Sequence, residues 1–415
     1  MNFFFTILFL FCFLQKIFSQ DNVVVLHNAN TLIGKSINGE TVRELNGSVH
    51  ISQGNTHIKC NKAIEYVAKK KFELEGNVEI KKENLLINCE RGKYFTNEKI
   101  FEGSQNLKLI ENEKILTANY GKYFSNEDKA IFNGNVLFNN NEANLSANEI
   151  TYFRNEKKII AKGNIKITSK NGSETAYGNY FESSSEKFST MKENPKIFKV
   201  EKKEFGFDTI FLKAKTIEAI DNKQKILSLK ENAEIIFNDS TFSIANNITY
   251  FELEDSVVMI DNPIVWYGDT QISGDTIFVK MKENKLSKIL VFGKSIIISK
   301  EKKIANRFQQ IEGKQIEITF SNKHLEKISV NKNVSSYYFI FDEDSLKNKI
   351  PNGLNFSTCN LLQMDFKNGE LEQITMSGNV EGKYFPENLI ENNEENFRLN
   401  NFNWKTNHPS KTSFY

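Results

Sequence analysis

The chain has 415 residues, of which 54 are Lys or Arg and 52 are Asp or Glu, so its formal net charge is only +2. This balance gives no sign of a nucleic-acid partner, because proteins that bind phosphate backbones usually carry a clear basic excess. A chain of this length would normally show linkers between domains, but it contains only 5 Pro and no Gly/Ser-rich tract.

The N-terminus has the features of a secretory signal peptide. An apolar run fills positions 3–14, no acidic residue precedes Asp21, and Ser19 offers a small residue for cleavage. The run is too short for a membrane-spanning helix, which needs about 20 apolar residues. We therefore predict a signal peptide at residues 1–19, with cleavage after Gln20 as the alternative.

A repeated unit follows, from residue 23 to about residue 384. Its strongest copies share a Gly-Asn or Gly-Ser pair flanked by alternating apolar residues, at a spacing of roughly 30 residues. These copies lie at 45–51, 74–80, 132–138 and 161–167. Alternation with a period of two predicts strands, and we expect the Gly-Asn pairs to supply the turns. The sequence therefore predicts about ten units of two short strands each.

A second segment of each unit places an apolar residue two positions before a small one. A spacing of two on a strand puts both side chains on one face. The pairs are Ile58 and Cys60, Ile87 and Cys89, Leu116 and Ala118, Leu145 and Ala147, Ile272 and Gly274, and Ile311 and Gly313.

The repeat divides the mature chain into three predicted segments. A first block of repeats spans 20–190, and a second block with loop insertions spans 191–385. The C-terminal tail, 386–415, loses the repeat and becomes rich in Asn and Glu, so we expect it to be loosely ordered.

The repeat resembles the OstA/LptA-like family. The residues that carry the resemblance are the Gly-Asn-Val-x-Ile strand, as at 76–80, and the segment Leu-x-Ala-x-x-x-x-Tyr, as at 145–152. That family comprises lipopolysaccharide-transport proteins related to the N-terminal domain of LptD. The resemblance covers about residues 23–384. It implies an all-β fold, an elongated stack of antiparallel strands of the β-taco or β-jellyroll type, with an apolar groove along it.

The implied groove would carry the lipid A moiety of lipopolysaccharide. Its predicted lining is the set of inward strand positions Val49, Ile51, Ile58, Val78, Ile80, Ile87, Leu116, Val136, Phe138, Leu145, Ile165 and Ile167. The column of small side chains favours an open lumen, because a packed core usually prefers Leu or Ile at such positions. The alternative is that the same residues form a dry core.

The resemblance also implies strand addition to other lipopolysaccharide-transport proteins of the inner and outer membranes, and end-to-end self-association. A stack of strands leaves a free edge at each end. We predict that Val23, Val24, Val25 and Leu26 form one joining edge, since they make an apolar strand without a proline. The alternative is that this strand folds back into its own sheet.

No catalytic, cofactor or metal site is predicted. The sequence has no P-loop, no dinucleotide-binding motif and no nucleophile elbow. His50 and His57 could face one another across a hairpin, but no third ligand lies at metal-site spacing. Cys60 and Cys89 occupy equivalent positions in neighbouring units, so a disulfide is conceivable, although buried free thiols are favoured because other units have Ala there.

The predicted function is therefore passive: a periplasmic lipopolysaccharide-transport protein that bridges inner and outer membrane components, with outer-membrane association as an alternative location. The alternative function is a structural or adhesive β-repeat protein of the envelope without lipid cargo. A polysaccharide-processing parallel β-helix is disfavoured, because such enzymes carry inward Asp clusters on successive rungs and this sequence does not.

Overall fold

The computed structural model describes residues 23–185, 187–202, 206–282, 285–302, 304–321, 324–343, 349–367 and 369–414, apart from the side chain of Glu343. The predicted signal peptide lies outside these ranges. The chain divides into a first unit, Met1–Ser185, and a second unit, Glu186–Tyr415. Strands make up 73% of the structure and helices 3%, which confirms the predicted all-β stack of antiparallel strands. In the described ranges, no helix is long and apolar enough to cross a bilayer.

The described part of the first unit contains twelve strands. They are β1 (Val24–Asn28), β2 (Thr31–Ile37), β3 (Glu40–Gln53), β4 (Thr56–Tyr66), β5 (Lys71–Lys82), β6 (Leu85–Phe95), β7 (Ile100–Glu111), β8 (Lys114–Phe124), β9 (Lys129–Asn139), β10 (Ala143–Phe153), β11 (Lys158–Ser169) and β12 (Glu174–Ser183). From β3 to β12, each strand pairs with the next in antiparallel fashion. β1 and β2 both pair with β3.

The described part of the second unit contains sixteen strands and three short 3-10 helices. The strands are β13 (Phe188–Lys192), β14 (Lys196–Lys202), β15 (Phe207–Lys213), β16 (Thr216–Ile220), β17 (Ile226–Asn238), β18 (Thr241–Phe251), β19 (Ser256–Ile260), β20 (Ile264–Tyr267), β21 (Thr270–Ser273), β22 (Thr276–Lys282), β23 (Lys285–Lys300), β24 (Phe308–Ser321), β25 (His324–Glu343), β26 (Lys349–Lys367), β27 (Glu370–Ser377) and β28 (Glu381–Phe385). The helices are η1 (Glu387–Leu389), η2 (Glu394–Asn396) and η3 (Lys411–Phe414). Pairs of short strands, such as β27 and β28 beside β26, take the place of one long strand.

The prediction that Gly-Asn and Asn-Gly pairs supply the turns is confirmed at Asn38-Gly39 and at Gly54-Asn55, which connect β2 to β3 and β3 to β4. The pairs of the repeated unit lie in the middle of long strands instead, so for them the prediction is wrong. In β3, Gly47 and Ser48 have φ values of 76° and 49°, and the pairing register shifts between Asn46 and Val49. Left-handed backbone of this kind is easy for Gly and tolerable for Asn. The pair therefore bends the strand. At Gly76, where φ is 73°, an added Cβ would lie only 2.8 Å from Nδ2 of Asn61, so this side chain would have to shift.

The bends fold each strand over, so that its two halves belong to two facing layers. In the first unit, Nζ of Lys82 donates to the carbonyl oxygen of Ser125 at 2.7 Å, although β5 and β8 are not sheet neighbours. The contact therefore joins the two layers at the side opposite the bends. The inward side chains between the layers form the core.

The column of small residues lies at the bends. In the second unit, a Cβ added to Gly274 would lie 2.5 Å from a methyl carbon of Val291, and one added to Gly313 would lie 2.6 Å from a methyl carbon of Val330. At these two positions, the small residue makes room for the valine of the next strand.

The tail is packed against the sheet of the second unit, so the expectation that it is loosely ordered is wrong. The side chain of Gln310 is fully buried and hydrogen-bonds the backbone of Phe397 and Leu399 at 2.9 Å each. Gln271 is equally buried and pairs with the tail backbone in the same way. These two side-chain amides hydrogen-bond the tail backbone as the main chain of a neighbouring strand would. Apolar side chains of the tail cover the outer face of the sheet beside them.

Candidate functional site

An apolar cavity of about 450 Å³ lies between the two layers of the second unit. Most of its wall is made of Ile, Leu, Val, Met and Phe side chains: Val265, Ile272, Leu286, Ile289, Ile297, Ile311, Ile318, Phe320, Leu325, Ile328, Leu362, Met364, Phe366, Ile374 and Met376. Its volume falls in the range of pockets that bind small molecules or parts of larger ones.

The strand bends give the cavity its two walls. On β24, Ile311 lines the cavity from one side of the register shift, while Ile318 and Phe320 line it from the other. Residues two apart on a strand face the same side, so Ile318 and Phe320 both point into the cavity. One strand therefore contributes to both walls.

Among the described residues that line the cavity, none carries a charge or belongs to the residue types that hold metals tightly. The polar residues of the lining are Thr241, Tyr267, Thr270, Ser299, Gln309, Gln310, Ser336, Tyr337, Tyr338, Asn355 and Ser357. Of these, Gln310 and Tyr337 direct their side chains to the tail on the outer face of the sheet. The amide of Gln309 is already paired with the backbone of Phe339 at 3.1 and 2.8 Å. Such a wall fits an uncharged, apolar ligand.

The cavity opens to solvent. Tyr267, Tyr338 and Ile374 line it and are nevertheless 58%, 43% and 41% exposed. These three side chains mark its entrance.

The twelve groove residues predicted from the sequence all lie in the first unit, on its inward face. Eleven of them are at most 6% exposed, and Ile167 is half-buried. Their role in lipid binding stays a prediction. The cavity of the second unit is not among the sites that the sequence predicts, although the spacing of an apolar residue before a glycine picks out Ile272 and Ile311, which line it.

A polar seam, defined by Lys82, Glu111, Asp128 and Arg154, joins the two layers of the first unit. Nε of Arg154 donates to Glu111 at 2.8 Å, and another guanidinium nitrogen donates to Asp128 at 2.8 Å. Nζ of Lys82 donates to Asp128 at 3.0 Å. The side chain of Arg154 is only 7% exposed, so these are buried, charge-assisted hydrogen bonds of the stronger kind.

Tyrosine hydroxyls complete the polar seam. Tyr123 donates to Asp128 at 2.8 Å, and Tyr152 donates to Glu111 at 2.5 Å. Burial would raise the pKa of Asp128, but the hydrogen bonds from Tyr123 and Lys82 outweigh burial and lower it. Burial raises the pKa of Tyr123 and of Tyr152. The seam therefore favours the ionised form of Asp128 and the protonated form of both phenols.

Each unit has an edge strand with unpaired backbone in the described ranges. β1 and β2 pair with β3 alone, and Val25, Leu26 and Leu32 there are 45%, 42% and 54% exposed. Val23 is 58% exposed and Val24 is half-buried. The predicted joining strand thus folds back onto β3 on one side and keeps its other side open. In the second unit, β27 and β28 are similarly exposed along their length.

The three cysteines of the described ranges, Cys60, Cys89 and Cys359, are buried free thiols. Burial raises the pKa of Cys60 and of Cys89 to about 11. Thiols of this kind are inert, so they serve packing at the bend.

Two family models match the sequence. The model described as "OstA-like protein" matches residues 20–176, and the model described as "LptA/(LptD N-terminal domain) LPS transport protein" matches residues 114–285. No curated protein matches the chain.

Among solved structures, the crystal structure of LptH from Pseudomonas aeruginosa matches this chain. LptH is described there as the LptA homologous periplasmic component of the conserved lipopolysaccharide transport device. The identity is 14%, over 33% of this chain and 75% of that chain, and the TM-score is 0.18. At that score the similarity supports no inference about this chain.

Proposed function

Residues 20–285 belong to the OstA/LptA-like family, and from this premise we propose that the protein is a periplasmic lipopolysaccharide-transport protein. The family confirms the resemblance predicted from the repeat. The proposed cargo is the lipid moiety of lipopolysaccharide, bound in an apolar groove, and the proposed place of the protein is between inner and outer membrane components.

The observation that carries the proposal is the uncharged cavity of the second unit. Moving one methylene of an acyl chain from water into an apolar environment is favourable by about 0.8 kcal/mol. For a chain of a dozen carbons, exposure to water therefore costs roughly 10 kcal/mol relative to burial. A wall of Ile, Leu, Phe and Met supplies such cover without any chemical step. Met364 and Met376 are flexible enough to fit chains of different shape.

The entrance supports an amphipathic ligand. Tyr267 and Tyr338 have an apolar ring and a polar hydroxyl, and both are about half exposed at the cavity mouth. Side chains of this type suit a boundary between acyl chains and a wet headgroup. We infer that the acyl chains enter between the layers while the sugar remains outside.

The two edge strands support the proposed bridging. A strand with unpaired backbone groups can accept a strand of another protein through main-chain hydrogen bonds. β1 with β2, and β27 with β28, each offer such an edge. The partners would be other lipopolysaccharide-transport proteins or a second copy of this chain.

Filling the cavity tests lipid binding. Ser336 lies on β25, lines the cavity and is 4% exposed, so Ser336→Phe would place a ring among the lining residues. The matched control is Ser329→Phe on the same strand, since Ser329 lies between two inward residues and points outward. We expect purified Ser336→Phe to bind fluorescent lipopolysaccharide at least about tenfold more weakly than Ser329→Phe. Equal binding by two folded variants would contradict the proposed cavity role.

A charged residue on the edge strand β2 tests whether this edge joins the protein to another chain. Ile33 lies on β2 and is 44% exposed, and Leu137 lies on the internal strand β9 and is 48% exposed. A lysine on an edge strand opposes strand addition. We expect Ile33→Lys to abolish concentration-dependent association in sedimentation velocity, while Leu137→Lys leaves it intact. Loss of association in both variants, or in neither, would argue against joining through β2.

A further inference from the structure

Three of the five histidines of the chain lie together on the outer face of the first unit. His27 lies on β1, His50 on β3 and His57 on β4. One ring nitrogen of each lies within 4.8 Å of the corresponding nitrogen of the other two. His50 and His57 face one another as the sequence indicated, with Nε2 and Nδ1 3.3 Å apart. The third histidine is brought in by the pairing of β1 with β3, which the sequence did not reveal.

The strand register explains this meeting. Ser52 is opposite His57 and Lys59 is opposite His50, so the two histidines are diagonal neighbours on one face. The register of β1 against β3 shifts between Leu26 and Asn28, at the position of His27. A shift of this kind re-aims a side chain, here toward the same face.

The spacing of the ring nitrogens suits one metal ion. In a tetrahedral zinc site with Zn–N bonds of about 2.0–2.1 Å, the ligand nitrogens are about 3.3 Å apart. His50 and His57 already have this separation. The ring nitrogen of His27 would have to move by roughly 2 Å, which an exposed side chain achieves by a change of rotamer.

A hydroxyl group beside the cluster orients one of its rings. Ser52 Oγ lies 2.7 Å from Nε2 of His27, and a hydrogen bond of that kind orients a ligating ring. The positive charge of Lys59 opposes the binding of a cation, and it is partly balanced by Glu79, 3.8 Å away.

We propose that His27, His50 and His57 form a binding site for one divalent transition-metal ion of the zinc class. Three imidazoles select such ions over Mg²⁺ and Ca²⁺, which prefer oxygen ligands. Three protein ligands leave a fourth coordination position for water or another donor. The bound ion would fasten the edge strand β1 to β3 and β4. The site is independent of lipid binding, so either proposal can fail alone.

Isothermal titration of the full chain with Zn²⁺ at neutral pH tests the site, with Mg²⁺ as the control ion. The variants are His27→Gln and His57→Gln, and the matched control is His324→Gln, an exposed histidine of the second unit. We expect one Zn²⁺ per chain for the parent and for His324→Gln, no heat with Mg²⁺, and affinity at least about tenfold lower in each of the other two variants. Protonation competes for the same nitrogens, so the affinity should fall as the pH is lowered.

A second readout separates metal binding from a folding defect. If the ion fastens β1, Zn²⁺ should slow amide hydrogen exchange in β1 of the parent and not in His27→Gln. Circular dichroism should give the same spectrum for all variants, because the substituted side chains lie on the surface. Zn²⁺ binding that is equal in all variants, or absent from the folded parent, would overturn the proposal.

Discussion

The polar seam of the first unit predicts a large effect of a single substitution. Arg154→Ala removes the guanidinium that pairs with Glu111 and Asp128 at 2.8 Å each. Both carboxylates lie at the side of the layers opposite the bends, where Glu111 and Asp128 are 9% and 21% exposed. Breaking a buried ion pair in this way costs about 3 kcal/mol or more, because the remaining charges stay buried.

The matched control is Arg43→Ala, in the same unit. Arg43 pairs with Glu65 at 3.2 Å, but its side chain is 50% exposed. Exposed pairs of this type contribute at most about 1 kcal/mol. The two variants therefore remove the same chemical group from sites that differ in burial.

Peptide-resolved hydrogen exchange measures the difference in the first unit directly. Both tryptophans, Trp266 and Trp404, lie in the second unit, so their fluorescence would not report on the seam. About 3 kcal/mol corresponds to exchange faster by roughly 150-fold in peptides from β9 and β10, against about fivefold or less for Arg43→Ala. A change below tenfold for Arg154→Ala, or equal changes in both variants, would refute the stabilising role of the seam.

The seam also predicts acid sensitivity. Since the pKa of Asp128 is lowered in the fold, its contribution to stability is fully present above the ordinary Asp pKa of about 3.9 and is lost as the pH falls through the lowered value. Exchange protection of β9, corrected for intrinsic rates, should hold between about pH 5 and pH 7 and decline below about pH 4. In Asp128→Asn this part of the decline should disappear; an unchanged acid profile would contradict the assignment.

Two further predictions concern the tail and the thiols. Arg307 is 3% exposed and pairs with Glu387 of the tail, so Arg307→Ala should speed hydrogen exchange in peptides from 387–399 at least about tenfold. The control Lys302→Ala removes the ion pair of a 75% exposed lysine with Asp269 and should not change this exchange. Equal effects of the two substitutions would contradict anchoring of the tail by Arg307. Burial raises the pKa of Cys60 and of Cys89 to about 11, so both thiols should react slowly with alkylating reagents. Peptide mapping should find both unalkylated at pH 8 in the folded protein and fully alkylated after denaturation. Rapid alkylation of the folded protein would show that these sites open easily.

The strands and their period could be predicted from the sequence because alternation with a period of two records which face is buried. The role of the Gly-Asn pairs of the repeat could not be predicted. The local sequence indicates a left-handed backbone conformation at the pair, but not whether the chain reverses there or a continuous strand bends. At Gly47 and Ser48 the outcome depends on the long strand continuing on both sides, with the partner β4 holding the ladder.

The tail and the cavity depended on contacts between distant parts of the chain. The runs Ile264–Trp266 and Ile296–Ile298 were a usable signal, since consecutive apolar residues in a strand mean that both faces are covered. Nothing local identifies the cover as the tail, which is brought there by Gln271 and Gln310. The cavity likewise arises from the distance between layers, which no single strand encodes.

Photo-crosslinking in living cells tests lipid transport most directly. A photoreactive residue at Ile318 would face the cavity, and one at Glu317, the next position of β24, would face outward. Ile80 and Glu79 form the equivalent pair in the first unit and test whether the predicted groove there also carries lipid. We expect lipopolysaccharide adducts at Ile318 and none at Glu317. Adducts at neither position, in a folded and exported protein, would contradict lipid transport and favour a structural role in the envelope.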